Sequence, residues 1–255
     1  MDKRYANFIT AVFLVAGRGT RISKLTNNPK CLLKINNQSL ITSNIKKLIH
    51  FGIKNFVIVT GFKKKLIIDH LKMYEKNKKI NIKYIDNKFY ISKGNSYSLL
   101  LGLKNVKSRQ CIFLDGDVVI KSEILKKFIY FNKKNSALVG KGSVKDVECA
   151  KVFINKKKKI RYMIDKVLAG KEILKNHFFL GEAIGLIKLN KKYRERLISV
   201  LNLFLSKKKN YKKNWEKPLN EFMKNFNLDY LYTNSEKWIE IDDKKDYETA
   251  KKIFR

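Results

Sequence analysis

FITAVFLVAGRGTRISKLTNNPKCLLKI, Phe8 to Ile35, is the stretch from which the rest of the chain can be read. Phe8 to Val15 is almost continuously apolar and rich in β-branched and aromatic residues, as a strand buried on both faces must be. Gly17 and Gly19 follow at once, with Arg18, Arg21, Lys24 and Lys30 spread through the loop. Glycines let backbone N–H groups crowd around an anion, and basic side chains neutralise it. This combination predicts a triphosphate held at the carboxyl end of a first strand. It lacks the third glycine of a Rossmann fingerprint and the Gly-Lys-Ser/Thr of a P-loop, which argues against both an NAD enzyme and a P-loop NTPase.

Outward from this loop, strand and helix patterns alternate. Helical spacing covers Ser39–Phe51, Lys63–Glu75, Asn95–Leu103 and Ser122–Phe131, and strands are expected at Asn55–Thr60, Ile80–Ile85 and Gln110–Leu114. Such alternation predicts a doubly wound, mainly parallel α/β sheet with ligands at the carboxyl ends of its strands. The second half reads as richer in strands, at Ala137–Gly140, Ala150–Ile154, Ile160–Ile164, Phe178–Leu189, Leu228–Tyr232 and Trp238–Ile241. Helices are expected at Asn190–Leu205, Trp215–Phe226 and Asp243–Ile253, the last with Asp243 as N-cap. With no repeat and no linker, residues 1–255 read as one domain: a nucleotide-binding half, 1–135, and an acceptor-binding half, 136–255.

Composition sets outer bounds. The 255 residues, 44% of them hydrophobic, suffice for a large core. No apolar run reaches the roughly 20 residues of a membrane span. The start, MDKRYANF, lacks a leader's apolar segment. Cys31, Cys111 and Cys149 form neither a disulfide framework nor a zinc spacing, which fits free thiols in the cytoplasm. The net charge of +35 admits a nucleic-acid binder. However, Lys, Asn and Ile are all abundant, as in AT-rich coding sequence, and the lysines recur along nearly every element instead of gathering on one face. KKKK at 156–159 and KKK at 207–209 are expected at a hairpin tip and a helix end.

Four further constellations carry chemistry. LDGDVV, Leu114–Val119, ends a buried strand with two aspartates, a hard oxygen site suited to Mg2+. WIEIDDKKDYETA, Trp238–Ala250, adds acids just before the last helix. KGNSYSLLLGL, Lys93–Leu103, opens a helix with a glycine and an asparagine, and FLGEAIGLIKL, Phe179–Leu189, sets Glu182 in a strand.

Taken in order, AGRGTR (Ala16–Arg21), Thr26, Pro29-Lys30, Leu32, GNSYS, LDGD and EIDD resemble the nucleotidyltransferases that activate phosphorylated sugars and alcohols. The motifs are most similar to those of the phosphocholine, phosphonate and inositol-phosphate cytidylyltransferases. The resemblance implies a Rossmann-like, glycosyltransferase-A-like mixed sheet with a β-rich insertion on the acceptor side. It implies CMP transfer from CTP to a small phosphorylated alcohol or phosphonate, with release of pyrophosphate. Catalytic charge stabilisation falls to Arg21, Lys30 and Lys166, and Mg2+ to Asp117 and Asp242. The nucleotide falls to Val15, Ala16, Gly17, Gly19, Thr20, Gly94, Asn95, Ser98 and Asp115. The acceptor falls to Glu182, Trp215 and Glu216, where an aromatic face and a carboxylate suit a cationic head group; Glu148 and Lys151 also match that branch. Lys24 reads as a surface residue, Asp246 as a helix-capping acid, and Glu240 stays open between metal support and strand surface. A sugar-1-phosphate nucleotidyltransferase is the enzymatic alternative, and a basic nucleic-acid-binding protein the alternative of another class. Oligomeric state is not readable from the chain.

Overall fold

A computed structural model describes residues 6–75, 80–234 and 237–254. The first five residues, where the leader reading begins, lie outside the described residues. The apolar run forms strand β1 (Ile9–Val15), every residue of it buried. It pairs in parallel with β4 (Asn55–Thr60) on one side and β6 (Gln110–Asp115) on the other. β5 (Asn81–Asp86) continues the parallel run beyond β4. A short hairpin of β2 (Lys34–Ile35) and β3 (Gln38–Ser39) leads into helix α1 (Leu40–His50).

β1 feeds both faces of the sheet. Val12 and Leu14 join a core with α3 (Asn95–Lys104), α6 (Lys191–Leu205) and α7 (Glu216–Met223). Ala11, Phe13 and Val15 join the opposite core with α1, α2 (Lys64–Glu75) and α4 (Ser122–Ile129). A strand clad on both sides must be apolar at consecutive positions, and this one is. On α2, Ile67 and Leu71 turn inward, whereas Leu66 is exposed.

The strand-rich second half extends the same sheet. β11 (Phe178–Asn190) pairs antiparallel with β6 through Leu186–Asn190, and its pairing register shifts nearer its start. Its other partners are β8 (Ser136–Gly140) and β9 (Lys151–Ile154), and β10 (Ile160–Ile164) lies outside β9. β12 (Asp229–Thr233) pairs with β8, giving nine strands among the described residues. The lysines at 156–159 form the β9–β10 turn. A short helix, α5 (Lys171–Asn176), occupies a stretch for which no element was expected.

A separate two-stranded ribbon matters most for the site. β7 (Val118–Ile120) pairs antiparallel with β13 (Trp238–Glu240), with Val118 opposite Glu240. Ile241 N–H also donates to the Asp117 carbonyl at 3.1 Å. This pairing brings the DGD turn and the EIDD segment side by side. α8 (Lys244–Ile253) follows, capped by Asp243, with Asp246 completing a capping box.

Candidate active site

The carboxyl ends of β1 and β6 open into a cleft of about 450 Å3. Val15, Gly17, Gly19 and Arg21 line it from the first loop, Lys30 from the turn after Pro29, and Asn95 from the start of α3. Gly19 takes φ +63°, a conformation open to glycine at little cost, and so starts the tight turn Thr20–Ile22 that sends Arg21 inward.

Three carboxylates converge on one point. Asp117, Glu240 and Asp242 each offer an oxygen, and these atoms lie within 4.8 Å of one another. Three cations face them. Lys30 Nζ donates to Asp117 at 2.8 Å and to Asp242 at 2.9 Å. Lys166 Nζ donates to Asp242 and lies 3.3 Å from Glu240. Arg21 pairs with Asp242 at 2.9 Å and with the exposed Glu148 at 3.1 Å. Lys166 reaches inward from a left-handed residue, φ +40°.

Burial and neighbouring charge set the electrostatics. Burial works to raise the Asp242 carboxyl, but Lys30 and Lys166 outweigh it and hold the group down at about 2. Glu240 goes the other way, to about 7, because burial and the charges of Asp117 and Asp242 outweigh Lys166. Burial also lowers the Lys30 ammonium, yet Asp117 and Asp242 leave its net shift upward. Lys30 is therefore a fixed positive charge at neutral pH, and so is Lys166, whose shift is likewise upward against burial.

The trio fits a hard divalent cation. Its donors are all carboxylate oxygens, the type Mg2+ takes. Asp117 Oδ1, moreover, is buried with no hydrogen-bond partner, a lone pair left for a ligand.

On the same cleft wall, Glu216 is 6% exposed and its Oε2 is buried without a hydrogen-bond partner. Burial and the nearby Asp165 push its carboxyl up to about 8. Asp165 lines the same wall and accepts from Asn214 Nδ2 at 2.5 Å. Trp215 also lines the cleft. Its ring is 1% exposed and stacks edge-on against Phe113, and Nε1 donates to Asp115 at 3.1 Å. No broad aromatic face is left for a ligand. Asp115 itself is raised by burial and by the charges of Asp117, Glu216 and Glu240.

Other expected site residues lie outside the lining. Ala16 is buried and its carbonyl accepts from Phe62 N–H at 3.0 Å, and Thr20 is exposed. Ser98 is buried, accepting from Asn87 at 2.9 Å, so it packs the helix instead of facing the cleft. Gly94 sits under the 212–213 backbone. Glu182 is partly buried outside the lining, its carboxyl raised to about 7 by burial. Lys151 is fully buried and donates to the carbonyls of Asp146 and Cys149, a role within the fold. Among the polar side chains of the wall, Glu240 was left open by the sequence, and Asp165 and Asn214 carry no motif that marks them.

The sequence profile of the nucleotidyl transferase family matches residues 10–153, and the chain belongs to that family. A bifunctional IPC transferase and DIPP synthase of Aquifex aeolicus (strain VF5) is 27% identical over 249 residues, 96% of this chain and 51% of the relative. The chain thus spans about half the length of the first curated relatives it matches. Among solved structures, CTP:phosphocholine cytidylyltransferase from Streptococcus pneumoniae superposes with a TM-score of 0.74 at 18% identity, covering 97% of this chain and 99% of that one. A UDP-glucose pyrophosphorylase superposes with a TM-score of 0.76 at 18% identity, covering 96% and 97%. At these identities the structures establish a shared fold.

Proposed function

We propose that the protein is a Mg2+-dependent cytidylyltransferase moving CMP from CTP to a small phosphorylated alcohol or phosphonate, in the phosphocholine-like class. The observation that carries this is the carboxylate trio of Asp117, Glu240 and Asp242 faced by Lys30, Lys166 and Arg21. Paired sets of acids and bases at a strand's carboxyl end suit a reaction between two anions. CTP as donor is supported by the similarity of KGNSYSLL to CTP-using enzymes and by the CTP:phosphocholine enzyme among the structural neighbours.

In this mechanism an acceptor oxygen attacks the α-phosphorus in line. The new P–O bond forms as the bond to the β-phosphate oxygen breaks, and pyrophosphate leaves with that electron pair. The acceptor phosphate is already ionised at neutral pH, so no strong general base is needed. Mg2+, when held by Asp117, Glu240 and Asp242, supplies charge neutralisation at the α-phosphate. Arg21 and Lys30 approach the same phosphate from the glycine-loop side, and Lys166 meets the incoming acceptor anion. The gain comes from positioning and electrostatics. The same centre accounts for the acids of the cleft, which a nucleic-acid groove would not need.

The organic end of the acceptor falls to Glu216 and Asp165. Asp165 and the unpaired oxygen of Glu216 suit a cationic head group such as choline or aminoethyl, whose charge would draw the proton from Glu216 on binding. Carboxylates take the part that the buried Trp215 face cannot. A sugar 1-phosphate as acceptor is the second possibility, favoured by the equally good superposition of the UDP-glucose enzyme. We assign the whole chain to one domain. Its cysteines, buried free thiols, suit a reducing cytoplasm. Among the described residues no helix is long and apolar enough to cross a membrane.

A screen of CTP, UTP, GTP and ATP against phosphocholine, aminoethylphosphonate, inositol 1-phosphate and glucose 1-phosphate, read by pyrophosphate release, tests the proposal. Preference for CTP with a cationic acceptor supports it. UTP with glucose 1-phosphate would select the sugar enzyme, and equal rates with every nucleotide would defeat the cytidylyl assignment.

A further inference from the structure

The two ends of the cleft are stitched together by a seam between residues 93–97 and 211–216. Gly94 N–H donates to the Tyr211 carbonyl at 2.6 Å, and Ser96 Oγ donates to the Lys213 carbonyl at 2.7 Å. Trp215 N–H then donates to Asn95 Oδ1 at 2.8 Å. The backbones abut so closely that a Cβ on Gly94 would stand 2.8 Å from the Lys213 carbonyl oxygen. Lys93 closes the outer end, with its ammonium 4.1 to 4.8 Å from the ring centres of Phe89, Tyr97 and Tyr211.

What the seam joins is informative. On one side Asn95 lines the cleft at the start of α3. On the other, Asn214 holds Asp165, the Trp215 indole holds Asp115, and Glu216 opens α7. Trp215 therefore bonds an asparagine of the first half through its backbone and Asp115 through its indole, with the wall residues Asn214 and Glu216 beside it in the chain. One residue thus ties the start of α3 to a cleft acid.

We propose that Trp215 is a positioning residue coupling the two subsites, so that nucleotide occupancy at Asn95 is transmitted through the seam to Asp115, Asn214 and Glu216. The inference rests on CTP binding in this cleft. A nucleotide that fixes the first turn of α3 fixes the Trp215 amide with it. The acceptor wall is then ordered before the acceptor arrives, and by linkage the acceptor tightens CTP by the same factor.

The test uses the full chain with CTP and Mg2+ as the probe. In a W238F variant Trp215 is the one tryptophan left. Calorimetry measures CTP binding, and emission excited at 295 nm reports Trp215. The expected result is an emission change that saturates with CTP, is lost in W238F/N95A at saturating CTP, and is restored in W238F/N95D, which keeps the acceptor oxygen. Hydrogen exchange on the unaltered protein gives a second reading free of any substitution: CTP should slow the 211–216 amides at least about 5-fold, the lower end of typical coupling. Measured CTP binding with no change in emission or in 211–216 exchange would overturn the seam and leave the enzyme assignment standing. An N95A protein that keeps the full response would do the same. Absence of CTP binding would overturn the functional reading and this inference with it.

Discussion

Lys166→Met should tighten metal binding while slowing the reaction, and the opposite signs make it diagnostic. Without ligands, Lys166 lies on Asp242 and Glu240, two of the three carboxylates of the trio. A divalent ion entering the trio must displace that ammonium or sit beside it. The side chains are 22%, 14% and 28% exposed, so each ion pair is worth about 1 kcal/mol after solvent screening. Removing two pairs lowers the cost of metal entry by about 2 kcal/mol, roughly 30-fold in affinity. The same change strips a cation from the place where the acceptor phosphate arrives, a loss of about 100-fold in turnover by analogy with removing one charge-stabilising donor. Isothermal titration with Mg2+, and Mn2+ relaxation as a second probe, would be run on both proteins without nucleotide, and pyrophosphate release measured separately. Unchanged or weaker metal binding in the Met variant, with the fold intact by circular dichroism, would refute the reasoning that Lys166 competes for the trio.

Further outcomes follow from the same geometry. Glu216 holds its proton up to about 8, above the usual 4.5 of a free glutamate, so the native state binds more protons than the unfolded chain between those values. Its stabilising contribution is present at low pH and fades as pH rises from about 5 to 8, by up to roughly 4 kcal/mol. In thermal melts across that window Glu216→Gln should flatten the decline, and a parallel decline would remove Glu216 as its source. Gly185→Ala should impair the site, because Gly185 has φ +73° and an added Cβ would stand 2.9 Å from Asp115 Oδ2. A loss of about 1–3 kcal/mol in chemical denaturation is expected, together with weaker CTP binding; wild-type stability in the variant would contradict it.

The sequence disclosed the fold where a local pattern and a global position coincide. The run from Ile9 to Val15 is almost wholly apolar because helices cover both faces, and it forms β1, whereas Phe8 just before it is exposed. Asp243 precedes a helical pattern and does cap α8. The β2–β3 hairpin went unread although its signal was present: Asn36 and Asn37 adopt φ +49° and +61°, the left-handed pair of a tight turn. Glu240 is harder. Its place in the trio depends on the antiparallel pairing of β13 with the distant β7, which no local spacing encodes. The packing of Trp215 was not legible, because an aromatic residue beside an acid looks the same in sequence whether its ring is open or, as here, set edge-on against Phe113 with its indole N–H on a carboxylate. Ser98 lies one helical turn from Asn95, but the rotation of α3 turns it to Asn87 instead of the cleft.

Transfer of label from [α-32P]CTP to phosphocholine, measured with pyrophosphate release in wild type and Asp117→Asn, tests metal-assisted CMP transfer most directly. The expected result is a CDP-linked product formed in equal amount to pyrophosphate, dependent on Mg2+, and reduced at least about 100-fold in the variant although it remains folded. Label that stays in CTP with phosphocholine and with every other acceptor of the panel, or full turnover by Asp117→Asn, would contradict it.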